Sequence, residues 1–384
     1  MRFTCGKNQL ANALSNVQKA VATRSTIPAL EGVLIKTIGD NNIELCAYNT
    51  ELGIKTSIDA NIYKSGSIVI NSHIFTDIIK KAPCDLIEIE IQDNLIIKIK
   101  AGQSNFELIG INPEDFPELP NISQTESINL SVEILRSMIK QTIFAVSDND
   151  SKPVHTGTLF EIKPGQITLV SVDGFRLAMR TENIQEQDLE FRFVVPGKTL
   201  REVLRLLPVN NNINNSENNN TQEKTVKITA GMRHIVFQID EYIIISRLLD
   251  GEFLDYQATI PENYLSKIRV STGDFLESIE RVSLMISDRI TSPVKTMFSK
   301  DKINLSCVTS LGKSSDELDC TGEMTEEYTE IAFNSKYMLE ALKSADCDEI
   351  YIYLNTNLSP MKITPIDNNS FLFLVLPVRF KTDN

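Results

Sequence analysis

Three short stretches decide how this chain is read: Ile68-Val69-Ile70-Asn71-Ser72, Phe193-Val194-Val195-Pro196-Gly197 and Ile331-Ala332-Phe333-Asn334-Ser335. Each is an apolar strand running into a helix start, with Phe75, Leu200 and Met338 following inside the helix. Ile70 and Val195 lie 125 positions apart, and Val195 and Phe333 lie 138 apart, so the pattern recurs with a nearly constant period. An earlier helix precedes each copy, marked by the apolar stripes Leu10-Leu14-Val17, Leu135-Met138-Ile139 and Ile279-Val282. Alternation in Ile87-Ile89-Ile91, Leu95-Ile97-Ile99 and Ile350-Ile352-Leu354 reads as half-buried antiparallel strands, with Asp93-Asn94 as a hairpin turn. The expectation is an α+β chain of three similar domains, each with two helices packed on antiparallel sheets. Their spans are 1–121, 127–255 and 261–384, separated by the proline-bearing segments Gly110–Pro120 and Asp250–Pro261. The asparagine run 210–220 accounts for most of the difference between the two spacings and reads as a solvated loop.

Composition narrows the class. With 42% hydrophobic and 23% charged residues the chain can fill several cores and is not disordered. Its longest apolar stretch, Phe371 to Val378, is far shorter than the roughly 20 residues of a membrane helix. Met1-Arg2-Phe3-Thr4 does not lead into a signal-peptide core, so a cytoplasmic protein without membrane contact is expected. Cys5, Cys46, Cys84, Cys307, Cys320 and Cys347 form no C-x-x-C pair and read as reduced, packed thiols rather than metal ligands.

Charge is unevenly distributed. The six expected helices, 7–22, 72–82, 131–146, 197–207, 273–284 and 334–345, carry +2, +1, +1, +2, −2 and +1, a total of +5. The remainder must hold −18 for the chain to reach −13. In the fourth helix Lys198, Arg201 and Arg205 share one face, while Leu200, Val203, Leu204 and Leu207 form the other. A cationic face on a single helix can simply be solvated. Cations segregated across several helices of an acidic protein fit a face that meets a polyanion. The fifth helix, with Asp274, Glu277 and Glu280, departs from this pattern.

No constellation for catalysis emerges. Gly197-Lys198-Thr199 imitates the end of a phosphate-binding loop, but the glycine required five positions earlier is Arg192. Gly102-Gln103-Ser104-Asn105 leads to Phe106 where a nucleophile elbow needs glycine. His73, His155 and His234 lack metal-ligand spacing, and Asp148 and Asp150 flank a solvated turn at 147–151. No enzyme, metal or cofactor is expected. A hydrolase or transferase using Asp173 and Arg176 would lack a base and a cofactor loop. A non-enzymatic, repeat-built interaction scaffold is the other reading.

Several motifs, in order along the whole chain, carry a resemblance: Arg24 to Pro28, Glu114-Asp115-Phe116-Pro117, Phe144-Ala145-Val146-Ser147, Ser171-Val172-Asp173-Gly174-Phe175-Arg176-Leu177-Ala178 and Leu376-Pro377-Val378-Arg379. In combination they resemble the bacterial DNA polymerase III beta subunit, the replicative sliding clamps. The resemblance implies a head-to-tail dimeric ring of six domains, with helices lining the hole and sheets on the rim. It implies a non-catalytic processivity factor that encircles duplex DNA without reading its sequence. DNA-facing charges would be Arg24, Lys198, Arg201 and Arg205. Partners would be a second copy, the polymerase III alpha subunit, the clamp loader and other proteins bearing a clamp-binding motif. Their peptide would dock around Lys152, His155, Val172, Gly174, Phe175, Arg176, Leu177, Leu254, Leu374, Val375, Leu376, Pro377, Val378 and Arg379. Without the resemblance, Asp173-Gly174 reads equally as a plain hairpin turn and Leu374 to Leu376 as a core strand. Val172, Phe175, Lys152 and Leu254 depart from the usual threonine, histidine, arginine and proline of the family pattern. Ring closure would bring Phe106 of one chain to Met285 and Ile286 of the other.

Overall fold

The computed structural model describes all residues apart from 123–125, 150, 187, 209–223, 288–291 and 380–384. The asparagine run and Asp150 therefore lie outside the described residues. The first repeat contains β1 (Arg2–Gly6), α1 (Lys7–Val17), β2 (Gly32–Ile38), β3 (Asn42–Tyr48), β4 (Leu52–Lys64), β5 (Ser67–Asn71), α2 (Ser72–Lys81), β6 (Leu86–Ile91), β7 (Ile96–Ala101) and β8 (Ser104–Ile109). The second contains β9 (Glu126–Ser131), α3 (Val132–Ile143), β10 (Gly157–Lys163), β11 (Gln166–Val172), β12 (Arg176–Asn183), β13 (Phe191–Pro196), α4 (Gly197–Leu206), β14 (Thr225–Ala230), β15 (His234–Ile239) and β16 (Tyr242–Arg247). The third contains β17 (Ser266–Ser271), α5 (Thr272–Val282), β18 (Val294–Phe298), β19 (Lys302–Thr309), β20 (Gly312–Asp319), β21 (Thr321–Met324), β22 (Thr329–Phe333), α6 (Ser335–Ser344), β23 (Glu349–Leu354), β24 (Met361–Pro365) and β25 (Phe371–Val375). The six expected helices are thus present. All six end earlier than the expected spans, and α1 and α5 each finish in a single 3-10 turn, Gln18–Ala20 and Ser283–Met285.

The strand-to-helix junctions that define the repeat have local physical causes. Asn71 caps α2 by accepting the Ile74 amide at 3.3 Å, and Asn334 caps α6 by accepting the Lys336 amide at 3.0 Å. In the second repeat Gly197 begins the helix. A Cβ there would stand 3.0 Å from Val146 Cγ1 and 3.1 Å from the Thr156 carbonyl oxygen, so close packing accounts for the glycine.

Strand registers expose the triplication. Phe3, Ile128 and Ile268 occupy the same place before their helices and pair with Ile89, Ile228 and Ile352. These pair with Ile99, Phe237 and Ile363, which in turn pair with Phe106, Ile244 and Phe373. Four strands therefore repeat in register three times. The hairpins entering β4, β12 and β20 are likewise equivalent, through Tyr48 opposite Gly53, Val172 opposite Leu177 and Val308 opposite Lys313.

Contact density divides the chain into two compact units, 1–132 with 201–248 and 133–200 with 249–384. The division cuts through the middle repeat because its sheets merge with those of its neighbours. In the first unit the sheet runs β8-β7-β6-β1-β4-β16-β15-β14-β9, and β4 meets β16 with Ile54 opposite Ile244 and Gly53 opposite Ile245. In the second unit it runs β13-β10-β11-β12-β25-β24-β23-β17-β21, and β12 meets β25 with Ala178 opposite Phe373 and Leu177 opposite Leu374. Both ladders use the same equivalent positions. A separate sheet, β20-β19-β18-β22, completes the third repeat. Helices bury their apolar stripes on these sheets: Leu10, Leu14, Phe75 and Ile79 in the first repeat, and Phe275, Ile279, Met338 and Leu342 in the third. Each such side chain contributes about 1.5–3 kcal/mol on burial. Cys5 and Cys46 are buried with them, and burial pushes both thiols up to about 12.

Two equivalent glycines mark where strands cross most closely. A Cβ on Gly157 would lie 2.4 Å from the Val195 carbonyl oxygen and 2.7 Å from Leu249 Cδ1, and one on Gly32 would lie 2.5 Å from Val69 Cγ1. Gly157→Ala is expected to destabilise the protein by about 1–3 kcal/mol. Urea unfolding followed by circular dichroism checks this, and an unchanged midpoint refutes it.

Candidate partner groove, interface edges and cationic face

The candidate groove residues converge on the exposed face of the second unit's sheet. Val172 ends β11, Leu177 lies at the start of β12 and Leu374 on β25, and all three are buried with Val154, Phe253 and Tyr256 in one apolar cluster. Tyr256 pins the covering segment by donating a 2.7 Å hydrogen bond to Glu161 Oε2. Burial and that hydrogen bond push Tyr256 up to about 12. Above this floor stand exposed apolar side chains: Phe175, 59% accessible, with Leu254, Leu376 and Val378. An exposed apolar patch of this kind makes the face a candidate docking surface. Leu376 and Val378 are held there through the backbone, their amides donating to Phe175 O at 2.9 Å and Ala332 O at 2.8 Å. Val375 is buried behind the sheet, Pro377 is half-buried, and Arg379 and Lys152 are exposed at the rim.

The turn that presents Phe175 is built from Asp173 and Gly174. Gly174 adopts φ +91°, which favours glycine. Asp173 Oδ1 accepts the Phe175 and Arg176 amides at 2.8 and 3.0 Å. Arg176, buried, donates from Nε to Asp173 Oδ2 at 2.9 Å, forms an ion pair with Glu340 of α6, and lies with its guanidinium carbon 4.5 Å from the Tyr337 ring centre. Phe175 stacks on Tyr337 at 6.0 Å between centroids. Arg176 thus serves as the fastening of the groove wall, with its charge already compensated. His155 packs edge-on against Phe253 at 5.6 Å, and burial together with nearby Lys152 lowers its pKa, which favours a neutral ring. Sequence reasoning missed Tyr337, Glu340 and Phe253. Tyr337 and Glu340 share an i,i+3 face of α6, but only the tertiary fold shows that this face meets the turn.

One interface candidate sits on an edge strand and two lie at the end of α5. Phe106 is half-buried on β8, an edge strand whose Ile109 is 84% exposed. Met285 and Ile286 are half-buried after α5, and Ile286 packs on the third repeat's core. The sequence did not single out Leu284, 82% exposed beside them, or Leu311, 69% exposed before a further edge strand, β20.

Among the cations, Arg24 is exposed in the loop before residue 28, and Lys198 and Arg201 are exposed on α4. None of the three has an ion-pair partner among the described residues. Arg205 differs: it donates to Glu202 at 2.8 Å and to Asn16 Oδ1 at 2.5 Å, so its charge is partly spent inside the protein. The acidic α5 also has local explanations. Asp274 occupies the favourable first turn of the helix, Glu280 pairs with Lys343 of α6 at 2.8 Å, and Glu277 pairs with Arg281 at 3.4 Å. No group of three or more metal-ligating side chains occurs among the described residues. No described helix is long and apolar enough to cross a membrane.

Triplicated helix-on-sheet modules sharing ladders across their boundaries define the class of DNA clamps. Family models for the N-terminal, central and C-terminal domains of the DNA polymerase III beta subunit match residues 1–120, 129–255 and 257–379. A beta sliding clamp of Staphylococcus aureus (strain Mu50 / ATCC 700699) is 30% identical over 388 residues, covering 99% of both chains. A solved putative DNA polymerase III beta subunit from Eubacterium rectale ATCC 33656 superposes with a TM-score of 0.90 at 31% identity, covering 99% of this chain and 100% of that one. The Bacillus subtilis DNA polymerase sliding clamp gives 0.92 at 29% identity with the same coverage. The chain belongs to the DNA polymerase III beta-subunit family, the beta sliding clamps: it is a polymerase processivity factor and not a catalytic subunit.

Arg176→Met removes the fastening while retaining apolar bulk. It leaves Asp173 and Glu340 unpaired and is expected to cost about 2–4 kcal/mol, less than a fully buried pair because Glu340 is partly exposed. Urea unfolding reads the loss, and a change below about 0.5 kcal/mol would show that the pairs hold nothing in place.

Proposed function

We propose that this clamp acts as a head-to-tail homodimer encircling duplex DNA in the cytoplasm, with domains spanning 1–121, 127–255 and 261–384. One observation carries the reading: three equivalent modules have only two internal junctions. β16 pairs with β4 and β25 pairs with β12 at equivalent positions, while β8 and β20, their counterparts, end their sheets with one neighbour each among the described residues. Free antiparallel edges seek a partner, and a second copy supplies both missing ladders at once. Extending the repeated register puts Phe106 opposite Ser314 of the other copy, Glu107 opposite Lys313 and Ile109 opposite Leu311. The last two pairs join opposite charges and two exposed apolar side chains, as cross-strand neighbours should. Met285, Ile286 and Leu284 would flank this ladder.

Inside such a ring Lys198, Arg201 and Arg24 face phosphates weakly and without base readout, which permits sliding. Arg205 would contribute less, being held by Glu202 and Asn16. The groove around Leu177, Leu374 and Phe175 takes the hydrophobic anchors of the polymerase III alpha subunit, the clamp loader and other partners.

Two experiments test these points. Phe106→Asp is expected to abolish the dimer in sedimentation equilibrium. Glu107→Lys and Lys313→Glu should each raise the dimer dissociation constant about tenfold, and their combination should recover most of it. A double variant no better than either single one refutes the register. Lys198→Glu with Arg201→Glu should shorten retention on nicked circular DNA without changing partner-peptide affinity, and linearising the DNA should release the wild-type ring. Retention indifferent to DNA topology would instead favour a scaffold that does not encircle it.

A further inference from the structure

The groove does not end at Leu374. Across the exposed face of the second unit's sheet, directly opposed residues run Leu177, Leu374, Lys362, Tyr353, Lys267 and Glu323, and cross-strand neighbours share a face. The groove floor is thus continuous with a platform of tyrosines and lysines. Lys362 Nζ lies 4.4 Å from the centre of the Tyr353 ring and 5.9 Å from that of Tyr264. Lys267 Nζ lies 3.9 Å from the Tyr351 centre and 5.8 Å from Tyr353, while Tyr264 meets Tyr353 edge-to-face at 4.7 Å. Neither ammonium has a carboxylate within ion-pair distance among the described residues, although Glu323 stands opposite Lys267 in the ladder. Burial lowers the pKa of Lys362.

Two uncompensated cations side by side are a distinctive local feature in a chain of net charge −13. Ammoniums resting on ring faces keep their hydrogen-bond donors free for an incoming anion. The same lysines cover the ring faces on which nucleotide bases would stack, which disfavours single-stranded nucleic acid as the occupant. We propose that this platform binds an acidic segment flanking the hydrophobic anchor of a groove-bound partner peptide. The inference rests on the groove reading above. At the usual spacing between strands, Lys362 and Lys267 lie about 5 and 14 Å from Leu374, within reach of about five extended residues.

The test uses the full chain and a fluorescein-labelled peptide from the clamp-binding segment of the polymerase III alpha subunit. The peptide is used alone, or with six glutamates appended at its N- or C-terminus. Fluorescence anisotropy in low salt is expected to show about tenfold tighter binding for one extended peptide. That gain should shrink as salt is raised and vanish in Lys267→Gln/Lys362→Gln, which should bind the unextended peptide as wild type does. Equal affinity for extended and unextended peptides, or a gain that survives in the variant, overturns the proposal and leaves the groove intact. Failure of even the unextended peptide to bind overturns the groove reading itself. Lysine-dependent binding of oligo-dT, with no gain from glutamate, assigns the platform to nucleic acid and also overturns the proposal.

Discussion

The structure depends on backbone hydrogen bonding carried across repeat boundaries. A β-strand at the end of a sheet exposes unpaired amides and carbonyls, and this chain satisfies two such edges with its own neighbouring modules. The ladders between β4 and β16 and between β12 and β25 are antiparallel, five residues long and placed at equivalent positions. They make continuous sheets out of separate repeats, so the compact units follow the sheets and cut the middle repeat in two. The counterparts of these junction strands, β8 and β20, end their sheets without a neighbouring module among the described residues, and the proposed assembly follows from satisfying them.

The two internal junctions use one scaffold for different ends. At the first, Gly53 leaves room for Leu119 of the following linker, whose Cδ2 would stand 2.7 Å from a Cβ there. At the second, the equivalent position is Leu177, which fills that volume itself and becomes part of the floor under Phe175 and Leu254. Both junctions are covered in part by the segment that follows them, and the side chain at this position is one difference between them. Polar groups then fix the geometry: Asp173 turns the chain, Arg176 ties the turn to α6, and Tyr256 ties the covering segment to Glu161. Because these charges are compensated internally, what the candidate groove presents is mainly shape and apolar area.

Electrostatics is arranged with the opposite logic on the helices. Lys198 and Arg201 remain uncommitted among the described residues, suited to weak contacts that break and reform. Arg205 and the cations near α5 are drawn into local pairs. Counting charges per helix therefore overstates what a face can present, since a formal charge says nothing about its neighbours.

Much of this was legible in the residues. Alternation gave the strands, apolar spacing gave the helices, and the asparagines at 71 and 334 gave two of their starts, because these depend on contacts a few positions away. The recurrence of Ile70, Val195 and Phe333 announced the triplication, and the Asp173-Gly174 pair announced a turn. Pairings between distant segments were not legible. The meeting of Arg176 with Glu340, the row from Leu374 to Lys267 and the exposure of Leu284 and Ile109 each depend on strands and helices far apart in the chain. Local sequence determined the six helices and several of the strands, since hydrogen bonding and side-chain periodicity act over a few residues. Only the tertiary structure decided which edges are used, which charges are spent and which apolar side chains are left exposed, because those outcomes are set by neighbours the chain brings together on folding.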